Sequence, residues 1–225
     1  MEHEIVIHAW GDIVCPWCWL GKQRLAAGIK LSGKKVAVEY HAYQLRADAP
    51  SSPVESLVEH ICDVQECTAE DAQAGLTKLS ELGAEFGLDY QWNLVQPVNS
   101  FLAHQLVYAA KDAGNTPEEA ALLGGEMVER LMRAYFSEGL NIADTETLLQ
   151  IAEEAGLDPA KTRDQLESGE FADAVRCDIR DAKTLDIKGV PFYVLGGRFG
   201  LAGSQTPEVF AESIKTAVAE LAAIS

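Results

Sequence analysis

An α/β fold carrying a large helical insertion follows from three features of this 225-residue chain. The chain opens β-α-β and closes β-β-α. Between these ends lies a long block of helical patterning without repeats, low-complexity tracts or an extended linker. Hydrophobic residues make up 48% of the chain, so a full core can be buried without a disulfide scaffold.

Residues 4–10, EIVIHAW, are β-branched and apolar and read as a buried strand. The segment GDIVCPWC then leads into a helix expected over about 16–30. Pro16 suits its first turn, where a missing N–H costs nothing. That places Cys15 at the N-cap and Cys18 one turn inside. Gly33 ends the following loop, and KKVAVEYHAYQL (34–45) reads as a second strand. A right-handed crossover makes the two strands parallel.

The middle of the chain is read as helices over 54–62, 69–87 capped by Thr68, and 100–114 capped by Asn99 and stopped by Gly114. Thr116-Pro117-Glu118-Glu119 starts a long helix. Asp144 and Asp158-Pro159 open two more, and Ser168 is expected to cap another. Residues 189–203, GVPFYVLGGRFGLAG, contain two apolar runs around Gly196-Gly197, a hairpin signal. Thr206-Pro207-Glu208 starts the last helix. The expected division is a domain built from 1–46 and 188–225, with 47–187 inserted into it.

Charge excludes some functions. Eighteen Lys and Arg face 35 Asp and Glu, a formal net charge of −17. Such a field repels nucleic acid and anionic lipid, so neither is an expected partner. No run of about 18 apolar residues is present to form a membrane span. The opening residues lack the positive leader, apolar core and cleavage site of a signal peptide, and a cytoplasmic chain is the expectation. Five cysteines in a reducing compartment argue against a structural disulfide framework.

Cys15-Pro16-Trp17-Cys18 is the chemically informative stretch. A Cys-x-x-Cys pair beside a β-α-β pattern is a redox signature. A helix N-terminus presents unpaired N–H groups and the positive end of the helix dipole, which favours a thiolate there. Cys15 is thus expected to be the attacking and more exposed sulfur, with Cys18 shielded and placed to resolve a mixed disulfide. A structural zinc site is the competing reading, with Cys62 and Cys67 as a second pair. No close Cys or His follows Cys18 as in a zinc ribbon, and the redox reading is preferred. Cys62 and Cys67 would face about 140° apart on one continuous helix. They can bridge only if the helix breaks between them; otherwise they are idle thiols. Cys177 is read as structural.

Lys188-Gly189-Val190-Pro191-Phe192 puts a proline at the opening of a strand. From this stretch alone an ordinary trans proline is the expectation. Asp12 is either a proton relay to the buried thiol or a solvated turn residue. His104 is either a lining residue of the groove between domains or a satisfied helix histidine. Trp10, Trp17, Trp19 and Phe192 are candidates for an apolar peptide-binding surface, with Trp10 more in keeping with the core and Trp17 with an exposed position.

Taken together, DIVCPWCWLGKQRL, NSFLAHQL (99–106), RLMRAYFSEGLNIAD (130–144), IKGVPFYVL and GLAGSQ (200–205) resemble the DsbA-type thioredoxin fold, and most closely its FrnE-like dithiol–disulfide isomerase branch. The resemblance spans nearly the whole chain. It implies a thiol–disulfide oxidoreductase or isomerase with Cys15 and Cys18 as catalytic residues. It further implies a cis Val190–Pro191 bond beside them and a substrate groove involving Pro16, Trp17, Val190, Pro191 and His104. Protein or peptide thiols and disulfides, and glutathione, are the implied partners of a monomer or homodimer. No metal or organic cofactor is expected. Some FrnE-like proteins carry an extra cysteine pair, which keeps an accessory redox role open for Cys62 and Cys67. The alternatives are a glutathione-dependent isomerase or transferase of the 2-hydroxychromene-2-carboxylate isomerase or kappa type, and a non-catalytic chaperone. Relatives of the isomerase and transferase type typically carry a lone serine where Cys15 stands.

Overall fold

The computed structural model describes residues 3–54 and 56–223. Strand β1 (Ile5–Gly11), helix α1 (Pro16–Ser32) and strand β2 (Val36–Ala42) form the opening unit. Helices α2 (Leu57–Gln65), α3 (Ala69–Ala84), α4 (Phe101–Asp112), α5 (Pro117–Phe136), α6 (Thr145–Glu154), α7 (Pro159–Ser168) and α8 (Ala172–Thr184) follow. Strands β3 (Phe192–Leu195) and β4 (Phe199–Ala202) and helix α9 (Pro207–Ala222) close the chain. The sheet order is β2-β1-β3-β4. β1 and β2 are parallel, as the crossover argument requires, while β3 is antiparallel to both β1 and β4.

Alternation along β1 sorts its side chains to two faces. Ile5, Ile7 and Ala9 pack with Leu25 of α1 and with Phe210 and Ile214 of α9. On the opposite face Trp10 packs with Ala182 of α8 and with Ile187 just beyond that helix. The largest cluster joins Cys15, Cys18, Trp19 and Leu20 to Leu106 of α4, Met127 and Leu131 of α5 and Leu148 of α6. The helices between the two chain ends therefore pack directly on the start of α1.

Local signals set most boundaries. Thr68, Thr116, Asp144, Asp158 and Thr206 each accept a backbone N–H at a helix start, satisfying a donor that has no partner within the helix. Gly196 and Gly197 both take positive φ, 57° and 70°, at the β3–β4 turn, the conformation a two-residue hairpin needs.

Several boundaries differ from the sequence expectation; besides shifts of a few residues at helix C-termini, four have a clear local cause. Strand β2 stops at Ala42 because Tyr43 N turns to Gly11 O (2.9 Å) and Leu45 N to the Asp12 carboxylate (2.7 Å). Ser100 rather than Asn99 precedes α4; Asn99 Oδ1 accepts from Phe101 N at 2.9 Å without entering the helix. Ser168 ends α7, and Gly169 at φ 68° terminates it, so α8 starts after Phe171 with no side-chain cap. The helix expected over 54–62 begins at Leu57, capped by Ser56 with a reciprocal bond from Glu59; Glu55 of that stretch lies outside the described residues.

Candidate active site

Strand β1 delivers the chain to Asp12, and a tight turn closes when Cys15 N donates to Asp12 O at 3.1 Å. Cys15 is the N-cap of α1, extended at φ −95° and ψ 110°, and its side chain makes no capping bond. Pro16 takes the first helical position. Cys15 O receives Cys18 N at 3.0 Å and Trp19 N at 3.4 Å. Both cysteines are free thiols, each 4% exposed. The expectation that Cys15 is the more exposed of the two is corrected: Cys15 is enclosed in the largest core cluster, and its Sγ lies 3.8 Å from Val190 O. Burial holds the Cys18 thiol well above its ordinary range. The neighbouring Cys15 thiol and the Asp12 charge add to this, while a backbone hydrogen bond from Asp12 opposes it.

The Val190–Pro191 peptide is cis. Pro191 O accepts from Gly203 N at 2.8 Å, which ties the loop to the end of β4. Pro191 also approaches α1 closely. A Cβ at Gly21 would come within 3.0 Å of Pro191 Cγ and 2.5 Å of the Tyr193 hydroxyl. Glycine at this position lets the proline loop sit against the helix that carries both cysteines.

Two residues from the helical block hold the other side of α1. Tyr90 Oη donates to Pro16 O at 2.8 Å. Glu129 of α5 accepts from Trp19 Nε1 (2.9 Å), Lys22 Nζ (2.9 Å) and Gln23 Nε2 (2.8 Å). Neither was singled out by sequence reasoning. Both lie more than 70 positions from their partners, and no local pattern marks them.

Asp12 is not a solvated turn residue; it is fully buried. Its carboxylate accepts from Leu45 N at 2.7 Å and lies 3.3 Å from His104 Nε2, which also faces Tyr43 O at 3.0 Å. Two oxygen acceptors around Nε2 require the proton to be on that nitrogen. His104 is 4% exposed; it stands behind the active-site turn and is among the residues that line the adjoining cleft. That cleft is also lined by Trp10, Cys18, His41, Tyr108 and Pro191.

The four aromatic candidates do not form one surface. Trp17 is 43% exposed, as expected of a residue between the two cysteines. Trp19 is buried, with its ring edge-on to Tyr90 and parallel to Phe136, at centroid distances of 5.2 and 5.8 Å. Trp10 is also core, and Phe192 is half-buried. Pro16 and Val190 are half-buried and Pro191 is buried.

Helix α2 breaks between Cys62 and Cys67. It ends at Gln65, Glu66 takes φ 51°, and Cys67 N donates to Cys62 O at 3.3 Å. Burial, followed by the neighbouring Cys67 thiol, holds Cys62 above its ordinary range, and Cys67 Sγ lies 4.0 Å from Ile61 O. Cys177 is exposed on α8, 3.8 Å from Asp181 Oδ2; its reading as a structural thiol is corrected.

Residues 6–215 match the DSBA-like thioredoxin domain family. The chain belongs to that family of thiol–disulfide oxidoreductases. It is similar to the protein YwbO of Bacillus subtilis, 28% identical over 210 residues that cover 92% of this chain and 94% of YwbO. It superposes on the crystal structure of a probable DsbA oxidoreductase from Streptomyces coelicolor with a TM-score of 0.84 at 30% identity, covering 96% of this chain and 91% of that one. The cytosolic disulfide reductase DsbM of Pseudomonas aeruginosa, solved with glutathione, shares the fold at a TM-score of 0.63 and 22% identity, over 97% and 98% of the two chains. Among the described residues, no helix is long and apolar enough to cross a membrane.

Proposed function

We propose that this chain is a cytoplasmic dithiol–disulfide reductase or isomerase of the FrnE-like branch, with Cys15 as nucleophile and Cys18 as resolving thiol. The observation that carries the assignment is the arrangement at the head of α1. Cys15 occupies an N-cap whose side chain caps no helix N–H, its Sγ faces the Val190 carbonyl, and Cys18 follows one turn along α1 with its N–H on Cys15 O. The amide end of the helix favours negative charge on a sulfur there.

The cycle balances as follows. The Cys15 thiolate attacks one sulfur of a substrate disulfide, forming a mixed disulfide and releasing the other sulfur as a thiolate. Cys18 loses its proton and attacks Cys15 Sγ. The Cys15–Cys18 disulfide forms and the second substrate sulfur leaves. The substrate gains two electrons and the protein loses two. Two thiols of the glutathione class restore the dithiol, leaving as one disulfide. The glutathione-bound DsbM structure supports that class of reductant. Val190 would pair its backbone with an extended peptide, a small case of strand addition. Trp17 offers exposed apolar area beside it. Residues 47–187 act as the inserted domain that backs the site.

A reducing cytosol, poised at about −220 to −320 mV, keeps such a pair available as dithiol. The deciding experiment is a redox titration in glutathione buffers read by tryptophan fluorescence. One two-electron transition that disappears in Cys18→Ser is expected. A midpoint near or below about −270 mV marks a reductase, and a higher one an isomerase. Wild-type turnover by Cys18→Ser would instead favour glutathione-dependent isomerase or transferase chemistry, which needs one catalytic side chain at the position of Cys15. Full function in a Cys15→Ser/Cys18→Ser double variant would leave a binding protein.

A further inference from the structure

His8, Glu39 and His41 have no part in the dithiol chemistry, yet their polar atoms converge on the sheet face opposite α1. The parallel register sets His8 beside Glu39, and His41, two residues further along β2, points to the same face. His8 Nδ1 lies 3.0 Å from His41 Nε2 and 3.3 Å from Glu39 Oε2. His41 Nε2 and Glu39 Oε2 are 4.0 Å apart. An ion held tetrahedrally by bonds of about 2.0–2.1 Å spaces its ligand atoms by about 3.3–3.4 Å. The three observed edges straddle that spacing.

The protonation pattern also suits a metal. His41 Nδ1 lies 2.7 Å from Asp178 Oδ1. The other Asp178 oxygen accepts from Ala42 N at 2.8 Å and Tyr108 Oη at 2.7 Å. The carboxylate can only accept, so Nδ1 of His41 carries the proton and Nε2 keeps its lone pair toward His8 and Glu39. A carboxylate behind an imidazole is the arrangement that orients metal-bound histidines. Trp10 fixes the ring further by stacking on His41 at 4.5 Å and donating to Asp178 O at 3.2 Å. Two carboxylates outweigh the nearby cation Lys111, whose ammonium is held on Tyr40 O at 2.6 Å. The His8, His41 and Glu39 side chains are 33%, 18% and 42% exposed, so an ion and a water can reach them.

We propose that His8, Glu39 and His41 bind a zinc-type divalent ion, with Asp178 positioning His41 and water in the fourth place. Two imidazoles select zinc, cobalt or nickel over calcium or magnesium. The ion replaces the proton between His8 Nδ1 and His41 Nε2, and His8 then carries its proton on Nε2. This site is independent of the thiols.

The test is titration of the full chain with Co²⁺, followed by its visible d–d bands and by quenching of Trp10 fluorescence. One equivalent with four-coordinate bands and no thiolate-to-metal charge transfer is expected. His8→Gln and Glu39→Gln each weaken binding at least tenfold with unchanged far-ultraviolet circular dichroism. Both residues are part-exposed, so these variants keep the fold where His41→Ala would strand Asp178. Cys15→Ser/Cys18→Ser binds Co²⁺ like the wild type. Absence of binding, affinity unchanged in His8→Gln, or bands that depend on the cysteines would each overturn the site.

Discussion

Asp12 is fully buried beside a thiol that gains nothing from a second negative charge. Its carboxylate is kept there by donors: Leu45 N at 2.7 Å, His104 Nε2 at 3.3 Å and Val14 N at 3.5 Å. The consequence falls on Cys18, whose proton is harder to remove while that charge is present. Asp12→Asn removes the charge and keeps the shape. The pH dependence of Cys18 alkylation, followed by peptide mass spectrometry in a Cys15→Ser background, should move to lower pH. An unmoved profile would mean that the Asp12 charge does not set the reactivity of Cys18. The same substitution turns one amide N–H₂ toward existing donors, so it should also cost about 1–3 kcal/mol of stability in urea unfolding. The two readouts separate the electrostatic role of Asp12 from its structural one.

Helix α1 is clamped from several sides, and Gly28 shows how tightly. A Cβ there would meet Phe210 Cβ at 2.4 Å, Pro207 O at 2.9 Å and Ala211 N at 3.3 Å, mostly backbone or near-backbone atoms of α9. Gly→Ala inside a helix ordinarily gains about 1 kcal/mol of propensity. Overpacking costs about 1–3 kcal/mol, and here the facing atoms cannot swing away. Gly28→Ala is therefore expected to lower the urea midpoint; a raised midpoint would show that α1 and α9 can separate. The break at the end of α2 has the opposite effect, bringing partners together. Because Glu66 leaves the helix at φ 51°, Cys67 turns back so that its N–H reaches Cys62 O at 3.3 Å, instead of continuing along the helix with its side chain turned away. Mild oxidation followed by peptide mapping should yield a Cys62–Cys67 disulfide alongside Cys15–Cys18, and cross-pairing of the two sets would contradict the geometry. Ending one helix at residue 62 and capping the next with Thr68 already placed a break between the two cysteines, but no glycine or proline marks the left-handed turn at Glu66 that shapes it. Helix starts such as Thr116-Pro117 and Thr206-Pro207 were legible because a cap is a local bond. Ser168 failed as a cap because Gly169, its neighbour, was needed to end the preceding helix.

The active cysteines and the proline loop could be read from a few contiguous residues, but their enclosure could not. The contacts that enclose them join Asp12 to His104, Pro16 to Tyr90 and Trp19 to Glu129, between 74 and 110 positions apart. For the same reason, no local pattern marked Trp19 as buried. The buried hydroxyls that accompany this packing give the protein an alkaline limit. Tyr40, Tyr90, Tyr135 and Tyr193 are each held above the ordinary tyrosine range, chiefly by burial. Unfolded, they ionise near about pH 10. Above that pH the native state binds more protons than the unfolded state, so stability falls as pH rises, by up to about 1.4 kcal/mol per pH unit for each group. Below it these groups contribute a constant amount. Four such slopes together reach about 5 kcal/mol per pH unit, against a typical total stability of about 5–15 kcal/mol. The fold should therefore give way within about one to three units above the ordinary tyrosine pKa. Tyrosinate absorbance from these four residues should rise together with loss of far-ultraviolet circular dichroism as the pH is raised. Ionisation of all four in a chain that keeps its helical signal would show that water reaches those hydroxyls in the native state.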